Sequence, residues 1–99
     1  MKIKELLQVM VEKEASDVYL TVGVPPMYRI EGVVQPIGDS KFNPVDLEEL
    51  AKAVMSEKQW EEFNSKLEMD LVVLLSIPEL SRFRVNVLRQ RGSVALVIR

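Results

Sequence analysis

The sequence predicts an α+β domain, with three helices packed on an antiparallel sheet of about six strands. Three observations carry that expectation. Apolar residues recur at helical spacing in three short segments, they alternate or cluster in short bursts in six others, and the turns within the first three and the last three bursts are too short for crossovers. The chain has 99 residues, the size of one domain, and such a domain buries roughly 60–70% of the surface its unfolded chain exposes.

The elements follow in order. Ile3, Leu6, Leu7 and Met10 fall on one helical stripe with Lys4, Glu5, Gln8 and Glu12 between them, so the first element is an amphipathic helix of about three turns. Asp17 to Val22 reads as a short strand, ended by Gly23-Val-Pro-Pro, because paired prolines fix φ and remove donors. Met27 to Ile30 and Val33 to Ile37 read as the second and third strands, joined by a Glu31-Gly32 turn. After the loop Gly38 to Phe42, Asn43 caps a helix that begins at Pro44, places Asp46 at its positive end and buries Leu47, Leu50, Ala51 and Val54. Ser56 and Gln59 have the spacing of a capping box, which starts a third helix with Trp60, Phe63 and Leu67 on one side. Asp70 to Ile77 is a strand, Pro78 to Ser81 its turn, Arg82 to Leu88 the next strand, and Val94 to Ile98 the last, entered through Arg91-Gly92-Ser93.

Charge is sorted along this plan. Residues 82–99 carry five Arg and no acid, while residues 1–81 hold all fifteen acids against seven Lys and one Arg, so the net charge of −2 conceals a cationic strip. The strip is wholly guanidinium, a rigid fork that matches phosphate or carboxylate oxygens and keeps its charge when dehydrated. Alternation within Arg82 to Leu88 sends Phe83, Val85 and Val87 inward and Arg82, Arg84 and Asn86 outward. Arg89 and Arg91 lie just past this predicted strand. A solvated strand face is the plain reading of such a pattern; an oxyanion partner is the sharper one. Nucleic acid fits poorly, since the sequence pI is near 5.2 and no exposed aromatic is interleaved with the arginines to stack bases.

Several chemistries are excluded. The chain has no Cys and no His, which removes thiolate sites, disulfides and the commonest general base and metal ligand. The four glycines are scattered and none begins a P-loop. Glu48/Glu49 and Glu61/Glu62 are neighbours on helix surfaces rather than opposed catalytic pairs, and Asp17 and Asp70 border strands, where capping or pairing suits them. The longest apolar run, Leu71 to Leu75, is far below the roughly 20 residues that span a bilayer. Within that run Val72 and Leu74 put apolar surface on the face opposite Leu71, Val73 and Leu75, which implies either cover on both sides or a docking patch; Met27 and Tyr28 share this ambiguity.

The chain resembles the N-terminal domain of the type IV pilus retraction ATPases, the PilT/PilU branch of the secretion ATPase superfamily. The resemblance rests on Ala15-Ser-Asp-Val-Tyr-Leu-Thr-Val-Gly-Val-Pro-Pro, Glu31-Gly, Pro44 to Gln59, Glu68-Met-Asp and, above all, Ser81-Arg-Phe-Arg-Val-Asn-Val-Leu-Arg-Gln-Arg-Gly-Ser-Val-Ala. It implies a PAS-like fold and a single N-terminal domain, residues 1–99, of a larger motor. The motor's RecA-like ATPase domain, with its P-loop, is absent from this chain, which on that reading has no turnover of its own. It further implies a cytoplasmic homo-hexamer, peripheral to the inner membrane through the pilus machinery, that hydrolyses ATP with Mg held mainly by the motor domain. On this resemblance Arg82, Arg84, Arg89 and Arg91 sense the nucleotide phosphates, with Arg84 and Arg89 the leading pair. Tyr28, Val72, Leu74 and Asn86 are candidate interdomain contacts, and at Val72 and Leu74 the chain departs from the small or polar residues of the family pattern. The alternatives are a stand-alone PAS-like sensor of a small ligand and a protein-docking module.

Overall fold

Antiparallel pairing organises the chain into a six-stranded sheet in the order β3-β2-β1-β6-β5-β4. The computed structural model describes residues 2–76 and 79–99. Helix α1 spans Ile3–Glu12, followed by β1 (Asp17–Leu20), β2 (Met27–Ile30), β3 (Val33–Pro36), α2 (Pro44–Val54), α3 (Glu57–Lys66), β4 (Glu68–Ser76), β5 (Leu80–Gln90) and β6 (Ser93–Ile98). The α+β class, the three helices and the six strands are as the sequence predicts, and the sheet order places the last strand at its centre.

Local chemistry explains the boundaries. Glu31-Gly32 and Arg91-Gly92 both take positive φ, at 50° and 81° and at 52° and 80°, the geometry that matches a two-residue turn to the twist of its strands. Asn43 accepts from the Asp46 amide at 2.8 Å while the Asp46 carboxylate accepts from the Asn43 amide at 3.0 Å; Ser56 and Gln59 form the same reciprocal box at 3.1 and 2.9 Å. Each box satisfies two amides that the helix start leaves without partners. Leu67 does not continue the α3 stripe as its spacing suggests. It is the C-cap in a left-handed conformation, φ 66°, and is exposed, because the chain must reverse at once into β4.

Strand lengths differ from expectation at the ends. β1 stops at Leu20, and Val22 instead makes an isolated parallel bridge to Phe42. β4 and β5 are longer than predicted, since their ladder runs unbroken from Glu68↔Leu88 to Ser76↔Leu80. Leu80 and Ser81, expected in the turn, therefore belong to β5; the predicted turn and strand-end residues Ile77 and Pro78 lie outside the described residues.

All three helices contribute to one core on one face of the sheet. Leu6, Leu7 and Met10 of α1, Leu47, Leu50 and Ala51 of α2, and Phe63 of α3 meet Val18, Leu20, Phe83, Val85, Val87, Val94, Leu96 and Ile98. Tyr28, expected at an interdomain surface, is instead buried in this core, 1% exposed. Its position opposite Val18 gives it the inward face, and its hydroxyl donates to the Leu6 carbonyl at 2.8 Å, joining α1 to the sheet.

Burial pushes the Tyr28 phenol up to about 12 from an ordinary 10.0. The folded state holds this proton more tightly than the unfolded one, so the associated stability is intact below pH 10.0 and is lost as pH rises toward 12. We predict that Tyr28→Phe costs about 1 kcal/mol at neutral pH and shows a shallower alkaline loss than the parent. Urea unfolding as a function of pH checks both; an identical alkaline slope in the variant would show that Tyr28 does not titrate with unfolding.

Candidate cationic face

The face of the sheet opposite the helices is bare, and the alternation of β5 decides which side chains reach it. Arg82, Arg84 and Asn86 point there, across from Leu74, Val72 and Asp70 of β4. Val72 and Leu74 are 53% and 57% exposed, so among the described residues that part of β4 is left largely uncovered. Asn86 has its amide committed to the domain's own carboxylates, donating to Asp70 Oδ1 at 2.8 Å and Glu68 Oε1 at 3.2 Å. Among the described residues Arg82, Arg84 and Arg91 make no ion pair, although four other cations do.

Arg89 is separated from that group. The alternation that buries Phe83, Val85 and Val87 continues to Arg89, which turns toward the helices with its side chain only 19% exposed. Its guanidinium donates to Asn64 Oδ1 at 2.8 Å and to the Gly92 carbonyl at 3.2 Å, and it pairs with Glu48 at 3.4 Å. It also sits 5.5 Å from the Phe63 ring centre and 5.9 Å from that of Trp60. One side chain thus ties α2, α3 and the β5–β6 turn together. Arg84 and Arg89, the leading pair that the resemblance implies, lie on opposite faces of the sheet, and Arg89 is occupied by this domain's own carboxylate and amide. Arg91 occupies the turn itself, exposed and beside Gln90 and Ser93.

Beside Arg84 the bare face gains a cation that the strip reading did not single out. Arg84 and Arg99 exchange both backbone hydrogen bonds, at 2.9 and 2.8 Å, so their side chains share the face. Arg99 pairs with Asp17 at 3.4 Å, and Arg29 pairs with the same carboxylate at 3.2 Å while donating to the Tyr19 hydroxyl at 2.9 Å. The Tyr19 hydrogen bond, reinforced by Asp17, holds the Arg29 proton more tightly than usual. Asp17 therefore does pair, as its place at a strand end suggests, and its partners come from two neighbouring strands. Along β4 the face runs from carboxylates at Glu68 and Asp70 to apolar Val72 and Leu74, with Arg84 beside Val72, Arg82 beside Leu74 and Arg99 on the far side of Arg84.

Among the described residues there is no group of three or more His, Cys, Asp or Glu that could hold a metal ion, and no helix is long and apolar enough to cross a membrane. A hollow of about 390 Å³ between α2 and α3 is lined by Lys52, Met55, Ser56, Glu57, Trp60 and Glu61, with the Lys52 ammonium 5.1 Å from the Trp60 ring centre.

We predict that Arg89→Ala lowers unfolding free energy by about 1–3 kcal/mol, through lost packing and stranded partners, whereas Arg84→Ala changes it by less than about 0.5 kcal/mol. Equal costs for the two in urea titrations would contradict the separation of their roles.

No family model matches the sequence. The chain is 35% identical over all 99 residues to the type IV pilus ATPase PilU of Pseudomonas aeruginosa, covering 25% of that protein. It is 34% identical over the same 99 residues to the type IV pilus retraction ATPase PilT of that organism, covering 28% of it. The chain thus spans about a quarter of the length of the curated relatives it matches. The crystal structure of the pilus retraction motor PilT with bound ADP aligns with a TM-score of 0.89 and 38% identity over 100% of this chain and 29% of that one. Agreement of sequence and fold over the whole chain makes this an N-terminal domain of the PilT/PilU family of pilus ATPases.

Proposed function

We propose that this domain is the regulatory and mechanical part of an ATPase that powers type IV pilus retraction, and that it closes on ATP held by a RecA-like motor domain. Arg82 and Arg84 supply the contact. The observation that carries this reading is that two outward guanidiniums at alternate positions of one strand have no acidic partner among the described residues, while Arg29, Arg89 and Arg99 are all paired within the domain. Unpaired guanidinium retains its full capacity for the γ-phosphate, whose charge it would stabilise as arginine fingers do. Loss of that phosphate on hydrolysis would weaken the contact and let the domain swing away, which converts chemistry into motion. Arg91, free at the turn, is a third candidate; Arg89 serves the reading indirectly, by holding the β5–β6 hairpin in place.

The domain contributes no catalytic base, and ATP and Mg belong to the motor domain. Its partners are that domain, neighbouring subunits of a hexameric ring, and the pilus machinery at the cytoplasmic side of the inner membrane. By their names one relative is a type IV pilus ATPase and the other a type IV pilus retraction ATPase, and the PilT motor was crystallised with ADP. Exposed Val72 and Leu74 add apolar surface next to the arginines, which favours an interface there over a solvated face.

In a motor carrying this domain, Arg84→Ala should reduce steady-state ATP hydrolysis at least severalfold, with Arg82→Ala weaker in the same direction. Wild-type turnover in the Arg84 variant removes its phosphate role. The 99-residue chain alone should show little or no ATP binding by calorimetry, because a few exposed contacts must overcome the entropy of association; tight binding would place the nucleotide on this domain instead.

A further inference from the structure

The outer edge of β4 has a row of backbone donors and acceptors without partners among the described residues, and its direction can be read from the ladder. Arg84 and Arg99 exchange both of their bonds, so the even-numbered residues of β5 turn their amides toward β6 and the odd-numbered ones toward β4. The Arg89 amide donating to the Leu67 carbonyl at 3.0 Å agrees with this. With Phe83 opposite Val73 and Val85 opposite Leu71, the odd residues of β4 face β5. Asp70, Val72, Leu74 and Ser76 therefore aim their N–H and C=O groups away from the sheet.

Edges of natural sheets are blunted by short length, Lys, Pro or a bulge. The opposite edge, β3, is short and ends in Pro36. β4 is nine residues long, its ladder runs without a bulge, and Leu71 to Ser76 contains no charge and no proline. This edge is left open where the other is closed.

We propose that β4 is a self-association edge, on which a second copy of this chain pairs its own β4 antiparallel about a twofold axis at Val73. The sequence fits itself in that register. Val72 stands opposite Leu74, Leu71 opposite Leu75, and Asp70 opposite Ser76, so apolar meets apolar on both faces and no like charges oppose. The outward amides belong to the even residues, and this register sets even against even, so Val72 with Leu74 and Asp70 with Ser76 can each exchange both bonds. Val73 meets its twin at a site without hydrogen bonds. The twofold also turns the Arg82 end of one bare face toward the Glu68 and Asp70 end of the other. A foreign strand would need to bring the same alternation and keep its acids away from Asp70; a second copy does so by identity. The pairing joins two sheets edge to edge, independently of any nucleotide.

So small an interface implies weak association, roughly 10 μM to 1 mM in dissociation constant. Sedimentation equilibrium of the 99-residue chain across that range should show a monomer–dimer equilibrium. Leu74→Pro removes only an outward N–H, which a strand edge tolerates, and Leu74→Lys installs the blunting charge. Both should weaken association at least about tenfold with unchanged far-UV circular dichroism. The chain has no native Cys, so Val73→Cys reports register: directly opposed Cα atoms about 4.5 Å apart at a site without hydrogen bonds suit a disulfide, and mild oxidation should link two copies. Val97→Cys, in the middle of the bare face, should link far less. A parent that stays monomeric throughout the range overturns the proposal, as does a dimer unaffected by both Leu74 substitutions, or linking through Val97→Cys in preference to Val73→Cys.

Discussion

The constraint on which the rest of the molecule depends is that its sheet is covered on one side only. With every helix packed on one face, the two-residue repeat of each strand becomes a binary decision between core and solvent, and a single step of register would exchange the two. β5 shows the consequence most clearly. Phe83, Val85 and Val87 anchor it among the helices, and the same geometry obliges Arg82, Arg84 and Asn86 to face outward. Charge on the bare face is therefore a product of core packing, because the residues that fill the core also fix which guanidiniums are presented.

The arginines consequently divide into two kinds of work. Arg89, inward by the same alternation, spreads its aliphatic stem and planar head over Phe63 and Trp60 and reaches Glu48, Asn64 and Gly92. A half-buried cation is tolerable there because it is paired and its donors are used. Arg29 and Arg99 converge on Asp17 and so staple β1 to β2 and to the end of β6. Arg82 and Arg84 are left with their charge uncommitted. What looks in sequence like a uniform strip is in space a structural set and a presented set, and membership follows from strand parity and from which carboxylates lie near.

Much of the fold was legible in the sequence because its signals are local. The Asn43 and Ser56 caps, the Glu31-Gly32 and Arg91-Gly92 turns and the stripe of α1 depend on residues a few positions apart. Element ends were less legible, since the lengths of β4 and β5 come from their mutual register and not from either strand alone. Tyr28 was misread because the short strand Met27–Ile30 does not say which parity faces the core; only its pairing opposite Val18 does. Arg89 could have been placed correctly, since counting in twos from Phe83 reaches it, had the strand been taken to extend past Leu88. The Arg29–Asp17–Arg99 cluster joins residues of three strands far apart in the chain, and no sequence spacing marks it.

The position of β6 bears on how the molecule comes to be. The sixth strand is flanked by β1 and β5 at the middle of the sheet, so the pairs Val18 with Ile98 and Leu20 with Leu96 form only once β6 has been made. Hairpins β2–β3 and β4–β5 can close early, whereas joining the two halves requires a loop of most of the chain and sets the pace of assembly. During synthesis the helices therefore lack a complete floor until β6 has been made, and the apolar segment Leu71 to Leu75 spends that interval accessible to other nascent chains.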